Sequence, residues 1–198
     1  MDITKEMGIL GEKFSFSAVD TNKVIQELNL PKDAKILDVG TGIGSLAITL
    51  ALNGYKVLTG EPSDDESIYA NQNWCDNAKK VNVDHLIEFK SFDAKKIPYD
   101  DDSFDAIFSL GTFHHIKEAE RRKVLKEFIR TTKYNSIICF FEPNQKAIKM
   151  IRESDALHPD AADPNKYIQG LDLTSRKIAG SNFDAFIFHK KRTPLTRR

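Results

Sequence analysis

Apolar and polar positions change their period several times along the chain, and each change marks an element. Residues up to about Ser17 show weak periodicity, although Phe14 and Phe16 fall among them. Over 18–30 the apolar residues recur at helical spacing, with Val24, Ile25 and Leu28 on one face, and Pro31 stops the run. Residues 35–39 form a short strand that ends in a glycine-rich loop. Residues 45–53 follow as an apolar helix with Gly54 at its end. A second strand is expected over 55–60, and a polar helix over 64–80 with Asp64, Asp65 and Glu66 in its first turn, where carboxylates suit the helix dipole. A third strand is expected at 86–92, a fourth at 104–110, and a charged helix at 117–131. The most apolar strand lies at 135–142 and a helix at 145–153. A polar stretch with Pro159 and Pro164 reads as loop, and two closing strands at 170–178 and 183–189 flank a Gly180-Ser181-Asn182 turn.

Strand and helix alternate five times before a terminal hairpin. Alternation implies a parallel sheet covered by helices on both faces, and a hairpin is antiparallel by necessity. The fold class is therefore α/β, a three-layer sandwich around a mixed sheet. At 198 residues the chain suits one domain spanning 1–198, with 1–30 as an N-terminal cover region and 190–198 as a basic, frayed tail. The chain contains no apolar run of about 18 residues, so no membrane span is expected. The N-terminus lacks the basic-then-apolar pattern of a secretory signal. Two cysteines, Cys75 and Cys139, suggest neither a disulfide framework nor a metal site, and a reducing cytoplasm fits. Lys and Arg together equal Asp and Glu at 29 each. That balance argues against a nucleic-acid partner, whose phosphates would call for a basic excess.

The chemistry concentrates in Asp38-Val39-Gly40-Thr41-Gly42-Ile43-Gly44. Glycines let the backbone turn sharply and approach a ligand closely, and the helix that follows directs its first N–H groups at the same place. A strand, a glycine loop and a helix make a nucleotide-type site. A dinucleotide fingerprint would space its glycines G-x-G-x-x-G; here the spacing is G-x-G-x-G, and Ser45 stands where the third dinucleotide glycine would fall. Glu61, at the end of the second strand, is placed to accept hydrogen bonds from ribose hydroxyls. Phe92 and Asp93 follow the third strand.

This constellation resembles the Rossmann-like, class I methyltransferases that use S-adenosylmethionine (SAM), over roughly 35–142. Residues 102–109 and the following Leu110-Gly111-Thr112-Phe113-His114-His115 resemble the small-molecule branch that includes quinone-biosynthesis methylases. The resemblance implies a seven-stranded sheet of order 3-2-1-4-5-7-6 with strand seven antiparallel, and SAM as cofactor. It implies that Asp38, Gly40, Thr41, Gly42 and Gly44 surround the methionine and ribose part, that Glu61 holds the ribose, and that the adjoining Pro62 also meets the cofactor. Phe92 and Asp93 would meet the adenine, and Ser109 and Leu110 would complete the pocket.

Methyl transfer from a sulfonium has a good neutral leaving group, so proximity and orientation can supply most of the rate. A general base is required only where the acceptor enters protonated. His115 and His114 are the candidates, since the position after the fourth strand faces the acceptor side in relatives and an imidazole titrates near neutral pH. Glu142 could line the acceptor pocket, and Phe14 and Phe16 could cover the cofactor. No acidic cluster suggests a Mg²⁺ site, and no metal is expected. The acceptor is unidentified, with a small molecule favoured over a macromolecule. The cover at the N-terminus and after the fifth strand is short, so a partner or second subunit could complete an open site. The alternative reading is a non-catalytic SAM-binding or partner-binding module with the same fold.

Overall fold

Seven strands join one sheet in the order β3-β2-β1-β4-β5-β7-β6. The computed structural model describes residues 1–70 and 72–190; the basic tail beyond Lys190 lies outside the described residues. The strands are β1 (Ile36–Val39), β2 (Val57–Gly60), β3 (Ile87–Phe89), β4 (Phe104–Leu110), β5 (Thr132–Pro143), β6 (Leu173–Ile178) and β7 (Phe183–Lys190). The first five run parallel to their neighbours, and β7 pairs antiparallel with both β5 and β6. The expected mixed sheet and its order are therefore present. The helices are α1 (Thr4–Leu10), α2 (Glu12–Leu28), α3 (Ser45–Leu52), α4 (Trp74–Lys80), α5 (Glu118–Thr131) and α6 (Gln145–Ile151). Among the described residues, no helix is long and apolar enough to cross a membrane.

Central strands buried on both faces read as continuous apolar runs, and β4 and β5 show why. Phe108, Cys139 and Phe141 face the layer that holds α2 and α3, whereas Ile107, Ile138 and Phe140 face the layer that holds α5. Phe140 stacks on Phe128 of α5 with centroids 5.1 Å apart and planes 3° apart. Burying one such ring contributes about 1.5–3 kcal/mol, so these contacts fix which face of each strand meets which helix.

Three expectations need correction. The first helical segment begins well before residue 18: α1 and α2 meet at Gly11, whose φ of +81° breaks the run between them. Ser15 and Ser17 interrupt the apolar stripe of α2 and obscure its period, although the Ser15 hydroxyl simply donates to the Gly11 carbonyl one turn back. The polar helix expected from 64 starts only at Trp74. Before it, side chains compete for the backbone: Asp65 accepts from the Ser67 N–H (2.9 Å), and the Gln72 amide donates to the Ile68 and Ala70 carbonyls. Finally, β5 starts at Thr132 rather than 135, with a register irregularity opposite Phe104 and Ala106 and Asn135 at φ +60°.

The N-terminal cover is tied to the rest of the fold at several places, among them Asn182 to the Phe16 carbonyl and Arg176 to Glu27, and most densely at Asp20. Asp20 of α2 accepts the backbone N–H groups of Ser181 (2.8 Å), Asn182 (2.8 Å) and Phe183 (2.9 Å) at the β6–β7 turn. A Cβ on Gly180 would stand 2.7 Å from the Asp20 carboxyl carbon, so glycine permits this approach.

Candidate functional site

The strand order reverses between β1 and β4, and in open α/β sheets ligands bind outside the carboxyl ends of the strands at such a point. A cavity of about 890 Å³ opens there, within the ~300–1,000 Å³ usual for small-molecule and cofactor sites. One wall is backbone. Gly40 (φ +98°) follows β1 and donates its N–H to the Gly60 carbonyl at the end of β2 (2.9 Å). A Cβ on Gly40 would collide with the Thr112 side chain. Gly42 (φ +49°) donates its N–H to Glu61 Oε2 at 2.8 Å, and a Cβ there would meet the Tyr69 carbonyl at 3.2 Å. Thus the acid after β2 and the loop after β1 are held together.

The structure brings Gly40, Thr41, Gly42, Glu61, Pro62, Phe92, Asp93, Leu110, His114 and His115 onto this cavity. Asp38, Gly44 and Ser109 do not line it. Ser109 is buried in β4 opposite Phe140 of β5, and Gly44 packs towards Trp74 as the residue that opens α3. Asp38 is buried behind the loop, where Thr59 donates to its Oδ2 (2.8 Å) and Thr41 bonds Thr59 in turn (2.9 Å). Burial pushes the Asp38 carboxyl up to about 8 despite the Thr59 hydrogen bond, and Glu61 adds to the rise. Asp38 Oδ1 has no partner among the described residues. Leaving such an atom unsatisfied costs about 1–3 kcal/mol, so a polar group reaching behind the loop would be stabilised there. Asp93 sits at the rim with its carboxylate accepting from the Lys95 N–H (2.8 Å), a turn-forming role, while Phe92 packs beneath Gly60. Phe16 of α2 reaches the cavity and meets Phe183 edge-on at 5.6 Å, whereas Phe14 belongs to the core.

The opposite end is built from side chains. His114 and His115 lie in a 3-10 turn (Phe113–His115) after β4, with ring centroids 4.2 Å apart. Glu142 of β5 is buried and accepts from the Phe113 N–H (3.1 Å) and from His114 Nδ1 (2.8 Å). It holds His114 in place and does not line the cavity. His158 also lines this end, from the loop after α6, with its Nε2 3.1 Å from His114 Nε2. Tyr69, from the non-helical segment before α4, donates to Asp155 Oδ2 (2.7 Å) and lies 3.1 Å from His158 Nδ1. Crowding by surrounding protein, then the neighbouring His114 and His158 rings, holds His115 well below its ordinary value and hence neutral at pH 7. Burial and His114 lower His158 likewise. Sequence reasoning missed His158, Tyr69 and Asp155. No local signal marks them, because 44 residues separate His158 from His114 and 86 separate Tyr69 from Asp155.

Residues 37–140, just over half of the chain, match the methyltransferase domain family. The chain is 31% identical over 98 residues to the 27-O-demethylrifamycin SV methyltransferase of Amycolatopsis mediterranei, an alignment covering 50% of this chain and 35% of that protein. It is 29% identical over 132 residues to the demethylmenaquinone methyltransferase of Clavibacter sepedonicus, covering 66% and 50% respectively. The chain thus spans between a third and a half of the length of these relatives. The YcgJ protein of Bacillus subtilis shares the fold with a TM-score of 0.67 at 15% identity, over 88% of this chain and 99% of that one.

Proposed function

The chain belongs to the methyltransferase domain family, and from that premise we propose that it binds SAM in the cleft and passes the methyl group to a small-molecule acceptor. The observation that carries this reading is the two-ended cavity: a backbone wall of Gly40, Thr41 and Gly42 with Glu61 on one side, and imidazoles on the other. Gly42, at φ +49° with open space in front of it apart from the Tyr69 carbonyl, suits a ligand pressed against the backbone. In this proposal the whole chain acts as one domain, with 1–30 as its cover, and works in the cytoplasm, in keeping with two free cysteines.

When bound, the cofactor supplies a methyl group on a sulfonium whose thioether leaves without charge. Glu61 would accept the ribose hydroxyls while keeping the Gly42 N–H, and Phe92 and Asp93 would border the adenine. Leu110 would close the pocket beside the glycine loop, while Asp38, Gly44 and Ser109 would support it from behind. These residues contribute by fixing the reacting geometry, an effect worth roughly 7–11 kcal/mol in favourable systems. His115 lines this end but, held well below its ordinary value, is a weak base, so its proposed part as proton acceptor is confined to acidic acceptors. His114 would orient that end through its bond to Glu142.

The test has two stages. Calorimetry should show S-adenosylhomocysteine binding and no NAD binding; NAD binding alone would overturn the cofactor assignment. Incubation with methyl-labelled SAM and a panel of small hydroxyl, amine, thiol and activated-carbon acceptors should then show transfer. Labelling only of protein or nucleic acid would overturn the small-molecule assignment.

A further inference from the structure

His114, His115 and His158 each offer a ring nitrogen, and these three atoms lie within 4.8 Å of one another. A proton inventory shows what the cluster lacks. Glu142 accepts from the Phe113 N–H through one oxygen, and its other oxygen lies 2.8 Å from His114 Nδ1. The network therefore assigns the His114 proton to Nδ1, leaving Nε2 with a bare lone pair. On the far side, Tyr69 has one proton, and it goes to Asp155 at 2.7 Å. His158 Nδ1 faces the Tyr69 oxygen at 3.1 Å and Asp155 Oδ2 at 3.3 Å. Both neighbours are then acceptors, so Nδ1 carries the His158 proton and His158 Nε2 is bare as well. Two imidazole lone pairs consequently face each other across 3.1 Å. Something positive belongs between them.

We propose that this cluster binds a divalent transition-metal ion of the zinc class through His114 Nε2, His158 Nε2 and one ring nitrogen of His115, with a fourth position open to the cavity. Zinc–imidazole bonds of 2.0–2.1 Å place nitrogens about 3.3 Å apart across a tetrahedral centre, close to the 3.1 Å between His114 and His158, and the His115 ring, within 4.8 Å of them, would turn in to complete the set. Three imidazoles with an open position form a catalytic rather than a structural zinc set, and imidazole ligands exclude the hard Mg²⁺ and Ca²⁺ ions. Glu142 and Asp155 stand behind His114 and His158 as the carboxylates that commonly orient metal-binding histidines. Backbone braces support the same rings: Arg121 donates to the His114 carbonyl (3.0 Å), and Arg152 donates to the His158 carbonyl while pairing with Asp160. On the methyl-transfer reading, an acceptor oxygen or sulfur at the fourth position would lose its proton more readily.

The test uses the full chain after chelator treatment, titrated calorimetrically with Zn²⁺, and separately with Co²⁺ to read the visible ligand-field bands of a low-symmetry site. Circular dichroism is measured on every variant as the check on folding, and S-adenosylhomocysteine binding is read separately. One zinc per chain is expected, with His115→Ala and His158→Ala each weakening it at least tenfold, and Asp155→Asn weakening it roughly 10–100-fold as an outer-shell change. His115 is the exposed member, so its variant remains informative if His158→Ala fails to fold. Absence of saturable zinc binding by the folded wild-type chain overturns the proposal and assigns the gap between the rings to a shared proton. Zinc affinity unchanged in folded His115→Ala and Asp155→Asn overturns it too, by placing the metal elsewhere. Loss of S-adenosylhomocysteine binding with zinc binding intact would instead strike the cofactor reading alone.

Discussion

The two ends of the cavity are made differently. The glycine-loop end consists of main chain: the turn after β1, the end of β2, and one carboxylate, Glu61, tied to the Gly42 N–H. Its shape depends on missing side chains. The histidine end consists of side chains from β5, the turn after β4, the segment before α4 and the loop after α6. Its shape depends on a chain of hydrogen bonds, each of which can be removed singly. The first end should therefore fail by obstruction and the second by loss of satisfaction.

The sharpest separation should come from Gly42→Val. The residue sits at φ +49°, and its new side chain would press on the Tyr69 carbonyl and fill the space in front of the loop. Binding of S-adenosylhomocysteine should become undetectable by calorimetry while circular dichroism keeps its native form. Normal affinity in the folded variant would remove the loop from the site.

Glu61→Ala should weaken the same ligand by less. Losing charged hydrogen bonds costs about 1.5–3 kcal/mol, or roughly 10- to 100-fold. An analogue lacking the ribose hydroxyls should bind wild type and variant alike; an equal loss from removing the hydroxyls in both proteins would refute the ribose contact.

At the histidine end the leading effect should be on stability. His114→Ala leaves a buried Glu142 oxygen without its donor, at a cost of about 1–3 kcal/mol by urea denaturation. S-adenosylhomocysteine affinity should change little. His115→Ala removes an exposed ring and should stay within about 0.5 kcal/mol of wild type, while lowering turnover with any acidic acceptor that must lose a proton. If His115→Ala proves the more destabilising of the two, the division between a buried positioning ring and an exposed working ring is wrong.

A pair of opposed pH slopes, measured with a chelator present, completes the comparison. His115 and His158 have folded values below the ordinary 6.5. Their contribution is complete above 6.5 and is lost as pH falls beneath it, because the unfolded chain takes up protons that the folded cluster refuses. Asp38 behaves oppositely. Its folded value of about 8 lies above the ordinary 3.8, so its contribution is complete below 3.8 and is lost as pH rises through 8. His158→Asn should flatten the acid side of the stability profile and Asp38→Asn the alkaline side. The groups facing the histidines are His114, Glu142, Tyr69, Asp65, Asp155 and Arg152, and the one facing Asp38 is Glu61; a slope unchanged in a variant would shift its origin to that variant's neighbours.

The same contrast decides what could be read from the sequence. The glycine loop is a local object: seven consecutive residues state both the turn and its use, and Glu61 stands at the end of the next strand. The sheet was legible for a related reason, since strands buried on both faces, such as 137–141, are continuous apolar runs whatever surrounds them. Residues 62–73 were not legible. Their carboxylates suit a helix start by charge, yet Asp65 and Gln72 bond their own backbone instead, a competition that helical periodicity does not register. His114 and His115 were visible through resemblance alone. Their partners were not, because Glu142, Asp155 and His158 meet them only through the packing of β5 and the loop after α6.

The Asp20 clamp has a consequence for hydrogen exchange. One carboxylate protects three successive amides at the β6–β7 turn, and it belongs to α2, the helix that carries Phe16 to the cavity. Those amides cannot exchange through that contact unless α2 lifts at Asp20. Ser181, Asn182 and Phe183 should therefore exchange as a synchronous trio, and their common rate is a clock for the opening of the cover beside the cavity that Phe183 lines.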